Sequence, residues 1–249
     1  MEIVFLGVGE ACDPACGNTA LEVRTSGVSL LLDCGFSVPH RYFALERSAD
    51  ALDACYISHL HGDHVFGLPL LLLRLAEMGR SKPLLLLGPA GLAEHAARLL
   101  ELAYPGCAAR LPFAREYLEM ASGTPLEALG LTWQAATSEH SLPNLCLRLD
   151  DVSYSLGYSG DGRPTEACAK LYDGVSLLVH EAFSLHDGIL NHGSVAACLD
   201  LARRCQVGRL ALVHLGREAR ARDLDAVHDM IAPWGERVLL PADGDSLSL

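Results

Sequence analysis

Six consecutive residues, His59-Leu60-His61-Gly62-Asp63-His64, carry three imidazoles and a carboxylate. That density of metal-ligating groups is seldom a structural accident. In an extended loop, His59 and His61 can aim their rings at one cation while Asp63 and His64 aim at a neighbouring point, so a single turn serves two ions. Gly62, having no Cβ, permits the tight backbone between the two pairs. Imidazole and carboxylate together suit zinc, with manganese or iron as alternatives. Two such ions side by side are a means of activating water for hydrolysis.

The elements around this cluster must hold it rigidly. Ala54–Ser58 reads as a short apolar strand running directly into His59. Before it, Glu2–Leu6 reads as a strand, and Thr19–Thr25 and Val28–Asp33 form a hairpin about the Ser26-Gly27 turn. After it, Val65–Met78 reads as a helix ended by Gly79, Lys82–Leu87 as a strand and Leu92–Ala103 as a helix. The middle holds strands Leu131–Ala136, Asn144–Leu149 and Val152–Tyr158. From Asp161 onward helix and strand alternate: Glu166–Tyr172 helical, Ser176–His180 a strand, Val195–Cys205 helical, Arg209–His214 a strand and Ala219–Ile231 helical. Arg237–Leu240 and Ser246–Leu249 close the last sheet. Each half thus begins with sheet that needs covering. The pattern predicts an α/β fold, two sheets face to face with helices outside, a four-layer αββα sandwich. Its 249 residues, half of them hydrophobic, are enough to bury that core as one domain spanning 1–249.

Composition excludes several roles. The formal net charge of -12 repels polyanions, so nucleic-acid binding would need a local basic patch. The Leu-rich stretch Val65–Leu75 is too short to span a bilayer and reads as a buried helix. The 9 cysteines are scattered and odd in number, and no basic and apolar leader precedes the first strand. Reduced thiols and a cytoplasmic location are expected. Cys12 and Cys16 could bind a metal, but no second pair of ligand spacing accompanies them, and a plain loop is the preferred reading. A homodimer is left open.

The H-x-H-G-D-H run resembles the signature of the metallo-β-lactamase superfamily. That pattern continues with a later His, an Asp and a last His, each at a strand end. The sequence supplies His140 in Ser138-Glu139-His140, Asp161 in Tyr158-Ser159-Gly160-Asp161, and His214 in Leu212-Val213-His214. The resemblance implies that His59, His61 and His140 hold one metal, that Asp63, His64 and His214 hold the other, and that Asp161 bridges. It covers nearly the whole chain. His61 stands where diiron flavoproteins of the superfamily have Glu, and Asp161 where secreted β-lactamases have Cys. Glyoxalase II-like and lactonase-like enzymes share the ligands.

Further stretches resemble the ribonuclease Z-like phosphodiesterases: Phe5-Leu6-Gly7-Val8-Gly9, Asn18-Thr19, Asp33-Cys34-Gly35, Tyr158 through Pro164, and above all His180-Glu181-Ala182 with His192-Gly193-Ser194. In that group a Glu–His pair assists proton transfer, which points to Glu181 and His192. Phe183 and Gly193 depart from the group, which has Thr and Ser at these places. Ribonuclease Z also carries a glycine- and proline-rich arm that clamps tRNA before the bridging Asp. Here Ser141–Gly160 leaves room for a hairpin only.

The resemblance implies a binuclear hydrolase cleaving a nucleotide or small phosphodiester through a metal-bridged hydroxide, with metals about 3.5–4 Å apart. Asp63 would orient the nucleophile and accept its proton, Glu181 would polarise His192, and His192 would protonate the departing alkoxide. Arg217 follows His214 closely enough to contact a phosphate. The arginines around it (Arg203, Arg204, Arg209, Arg220, Arg222) read as a solvated face balanced by Glu218, Asp223 and Asp225. Alternatives are tRNA 3′-processing, disfavoured by charge and by the missing arm, and thioester or lactone hydrolysis, which needs no leaving-group acid. A non-enzymatic metal scaffold fits least, since all seven ligands are retained.

Overall fold

A computed structural model describes residues 1–249. In chain order the first half comprises β1 (Glu2–Gly7), β2 (Ala20–Thr25), β3 (Val28–Leu32), α1 (Val38–Phe43), β4 (Ala54–Tyr56), α2 (Gly62–Val65), α3 (Leu68–Glu77), β5 (Leu84–Gly88), α4 (Leu92–Ala103) and β6 (Arg115–Glu119). The second half comprises β7 (Leu126–Ala128), β8 (Leu131–Thr137), β9 (Leu145–Asp150), β10 (Ser155–Tyr158), α5 (Glu166–Leu171), β11 (Leu177–Glu181), α6 (Val195–Arg204), β12 (Arg209–Val213), α7 (Arg217–Arg222), α8 (Leu224–Ile231), β13 (Val238–Leu239) and β14 (Ser246–Ser248).

Two seven-stranded sheets result, ordered β14-β1-β2-β3-β4-β5-β6 and β13-β12-β11-β10-β9-β8-β7. In each, an antiparallel section passes into a parallel one: β3 through β6 pair in parallel, as do β10 through β13. Strands that are apolar at successive positions supply both faces. Leu30 and Leu32 of β3 enter the core between the sheets, while Leu31 packs under the helices. Leu85 and Leu87 of β5 do the same against Leu84 and Leu86. Leu177 and Val179 of β11 face inward, and Leu178 outward toward α6. Three apolar clusters therefore separate four layers, which is the αββα sandwich expected from the pattern.

The parallel strands matter most for chemistry. Side chains just beyond their carboxyl ends converge on one crevice, the usual ligand position of such sheets. Asp33 follows β3, His59 follows β4, Asp161 follows β10, Glu181 ends β11 and His214 follows β12.

Several boundaries differ from the sequence reading. The helix expected over Val65–Met78 is broken at Phe66-Gly67. There the Gly67 amide donates to the Cys34 carbonyl at 2.8 Å, and a Cβ would collide with the Gly35 carbonyl. The helix expected over Ala219–Ile231 divides at Asp223, whose φ of -115° leaves the helical region. β6 is a polar, largely solvent-facing edge strand without the apolar alternation that marks a strand, and β7, whose Leu126 and Ala128 pack on the inner core, is only three residues long. No helix is long and apolar enough to cross a membrane.

Candidate metal centre

The loop after β4 stays extended through His61, then turns into the short α2 at Gly62. This places His59 Nε2 3.0 Å from His61 Nδ1, and His140 Nε2 3.1 Å from the same atom. Asp63, His64, Asp161 and His214 form a second group, fully buried, whose ligand atoms lie within 4.8 Å of one another. Asp161 faces both groups. Its Oδ1 is 3.3 Å from His64 Nε2, while its Oδ2 is 3.3 Å from His214 Nε2 and 3.9 Å from His59 Nε2. The seven residues singled out in the sequence thus come together in the two expected sets, with Asp161 between them.

Neighbouring groups fix which nitrogen each ring presents. Asp33 Oδ2 accepts from His64 Nδ1 at 2.7 Å and from Ser58 Oγ at 2.8 Å, and Ser58 Oγ in turn accepts from His59 Nδ1 at 3.0 Å. His140 Nδ1 donates to the Asn191 carbonyl at 2.9 Å. In all three rings Nε2 is left for the crevice. Asp33 also accepts from the Ser58 amide at 2.7 Å and from the Tyr158 hydroxyl of the opposite sheet at 2.6 Å. Asn144 accepts from the Asp161 amide and donates to the Ser159 carbonyl, holding the turn that aims Asp161. In that turn Gly160 (φ 55°) fits where any Cβ would meet Asn144 and Ser58.

The charge pattern asks for cations. Burial raises the pKa of Asp63, but the adjacent His214 and His64 imidazoles outweigh it and hold the carboxyl well below its usual range. Asp161 is likewise resisted by burial, then driven far down by His214 and His64. Burial opposes charge on His214 too, yet Asp161 and Asp63 push it up to about 9. His59 and His61 are depressed, first by burial, then by neighbouring imidazoles. Two ionised carboxylates are thus balanced only by protons on ring nitrogens. Four buried polar atoms here, His64 Nε2, Asp161 Oδ1 and both nitrogens of His214, have no hydrogen-bond partner. Such atoms are costly to bury unless something coordinates them. The donor set fits a pair of divalent ions.

Beside the metal ligands, Glu181 is fully buried and each of its oxygens is committed. Oε1 accepts from the Gly162 and Gly193 amides at 2.8 and 3.0 Å and from His192 Nδ1 at 3.1 Å, and Oε2 accepts from the Phe183 amide at 3.1 Å. The His192 ring stacks on Phe183, with centroids 4.5 Å apart, and lies 5.8 Å from the His214 ring, which is itself 6.0 Å from Phe183. It shares ligand-distance groups with His140 and Asp161 and with Glu181 and His214. Arg217 lies at the rim, its guanidinium 2.5 Å from Glu10. Arg204, Arg220 and Arg222 face Asp200, Asp13 and Glu218, and Arg203 packs over Trp234, so this group is a balanced surface. Cys12 and Cys16 belong to none of the metal-ligand groups.

Residues 1–226 match the family described as Anti-Pycsar protein Apyc1. The chain belongs to that family. Its fold is that of the metallo-β-lactamase superfamily. The metallo-β-lactamase fold protein YhfI from Bacillus subtilis superposes with a TM-score of 0.81 at 20% identity over 99% of each chain. Human tRNase Z, short form, gives 0.80 at 23% identity, covering 100% of this chain and 99% of that one. In sequence, ribonuclease Z of Methanothermobacter thermautotrophicus is 27% identical over 86% of either chain. With these relatives, the clustered ligands show a binuclear metal site and identify this member of the Apyc1 family as a metal-dependent hydrolase of the phosphodiesterase type.

The sequence reading gave no role to Asp33, Ser58, Asn144 and Tyr158. Asp33-Cys34-Gly35 and Tyr158-Ser159-Gly160 stood out only as family-like stretches. Their function rests on contacts spanning up to 125 residues of sequence, between Tyr158 and Asp33.

Proposed function

We propose that the chain, acting as one domain over residues 1–249, hydrolyses small nucleotide phosphodiesters, cyclic or short and linear, with two zinc ions as resident metals. The observation that carries this reading is the Glu181–His192 pair. A leaving-group acid is needed where an alkoxide departs, and thioesters or activated lactones need it little. His192 stands at both ligand groups, and Glu181 is anchored by three backbone amides.

Zinc ions bound by His59, His61 and His140 and by Asp63, His64 and His214, with Asp161 shared, would supply a nucleophile at neutral pH and neutralise charge on the phosphoryl oxygens. The protein's own groups do the rest. Asp63 Oδ2, 3.3 Å from His64 Nε2 and 3.6 Å from His214 Nε2, is positioned to orient the attacking group and take its proton. Glu181 holds the Nδ1 side of His192, which leaves Nε2 to give a proton to the leaving oxygen. Arg217 at the rim would meet the substrate's outer portion. The free cysteines fit a reducing, cytoplasmic setting.

A second reading, tRNA 3′-end processing, is favoured by relatives named ribonuclease Z. Against it, residues 141–160 form little more than the β9–β10 hairpin, and the net charge is -12. The deciding experiment compares a tRNA precursor with a cyclic or dinucleotide diester at low and physiological salt. Small-diester turnover should be nearly independent of salt, whereas tRNA cleavage should be weak and fade as salt rises. Efficient tRNA 3′-end cleavage at physiological salt would overturn the small-substrate reading and point to a second copy supplying a basic surface. Elemental analysis should find close to two zinc ions per chain. A preparation active without transition metal would remove the metal assignment.

A further inference from the structure

Phe183, whose ring stacks on His192, also lines a cavity of about 380 Å³ between the 183–193 loop and α7, together with Ser184, Ile189, Gly216, Arg217 and Asp223, among others. That size suits one compact ligand portion and no chain of bases. We propose that it is the subsite for the nucleobase of the nucleoside that carries the leaving oxygen, with the Phe183 ring as its floor; this rests on the small-diester reading above.

Three observations carry it. The first is position. Phe183 lies against the ring proposed to protonate the leaving oxygen, and its carbonyl accepts from the Gly216 amide at 2.9 Å, two residues beyond His214. A substrate whose phosphate sits at the metal ligands and whose leaving oxygen meets His192 therefore carries its nucleoside toward this cavity. The second is rigidity. The Phe183 amide donates to the Gly193 carbonyl at 3.1 Å, so both sides of the peptide are tied and the ring has a fixed place. Fixed aromatic faces stack on any base. The third is charge. Arg217 is matched by Glu10, and Glu218 and Asp223 add carboxylates to the same wall. A neutral heteroaromatic ring with amino groups fits there, while a second phosphate meets like charge. Ile189, 43% exposed, supplies an apolar edge over the opening.

The test uses metal-loaded full-length protein with Phe183→Leu, which keeps an apolar contact under His192, and with Ile189→Ser, a surface change that leaves the fold intact. The substrates are 3′,5′-cyclic AMP and the 3′,5′-cyclic phosphate of methyl β-D-ribofuranoside, which has the same alkoxide leaving group and no base. Each variant should lose about tenfold more kcat/KM on cyclic AMP than on the base-free diester, the loss falling mainly in KM. In equilibrium binding, the affinity of adenosine 5′-monophosphate should fall about tenfold relative to that of inorganic phosphate. Equal losses on both diesters, with both ligands weakened alike, would mean that Phe183 merely holds His192, and the subsite is then refuted. If the unaltered protein cleaves neither diester, the phosphodiesterase reading fails, while the binding comparison still decides whether the cavity takes a base.

Discussion

The two sheets are built on one plan, antiparallel strands giving way to parallel ones with helical crossovers, yet they deliver metal ligands in different ways. The first sheet contributes four candidate ligands from one six-residue loop after β4. The second contributes His140, Asp161 and His214 from three separate strand ends, 21 and 53 residues apart by their numbering. Ligands on one loop are placed by local backbone geometry. Ligands on three strand ends are placed by sheet register, and each needs its own brace: the Asn191 carbonyl for His140, Asn144 for Asp161, and the left-handed backbone (φ 57°) that turns His214 into the crevice. A centre assembled in this way is compact in sequence on one side and distributed on the other, and damage should differ accordingly.

The severest test strikes the loop. Asp63→Asn removes the proposed ligand and proton acceptor in one change, so turnover should fall by more than about 10³-fold with the fold retained. Near-normal activity in that variant would break the assignment. Next comes the second sheet's His192, proposed above as the proton donor. His192→Ala should keep both metals but lose about 10²–10⁴-fold on diesters with alkoxide leaving groups, and far less on p-nitrophenolate esters, which depart without a proton. Metal loss in His192→Ala would instead place this ring among the ligands.

A finer comparison sets the braces against each other. Asp33→Asn disturbs His64 directly and His59 through Ser58, so the affinity of both ions should drop about 10–100-fold in chelator competition. Asn144→Ala loosens only the turn carrying Asp161, and its effect should follow the bridging position. If Asp33→Asn weakened one ion alone, the shared brace would be disproved. The smallest expected effect is that of Tyr158→Phe, which removes one buried hydrogen bond between the sheets. It should cost about 1–2 kcal/mol of stability, read as a lower denaturation midpoint, with modest change in activity.

How much was legible in the sequence follows the same division. The His59–His64 loop needed only spacing, because its chemistry is local. His140, Asp161 and His214 became readable through family resemblance, since nothing in their own surroundings marks them as ligands. The layered fold was visible in doubly apolar strands such as Leu84–Leu87, whereas β6 was not, being polar at the edge, nor was β7, being only three residues long. The break at Gly67 was invisible because it depends on Cys34 and Gly35 arriving from another strand end. Asp33 looked like a hairpin terminus, and only the folded chain brings Ser58, His64 and Tyr158 to its one carboxylate.

That carboxylate also bears on transplantation. Copying His59–His64 into another scaffold would carry over the ring nitrogens but not their orientation, because the group that orients them arrives from β3 and is itself gripped by a tyrosine of the facing sheet. The minimal portable unit is therefore a pair of sheets at their native spacing, and a grafted loop alone should bind metal loosely and in mixed geometry.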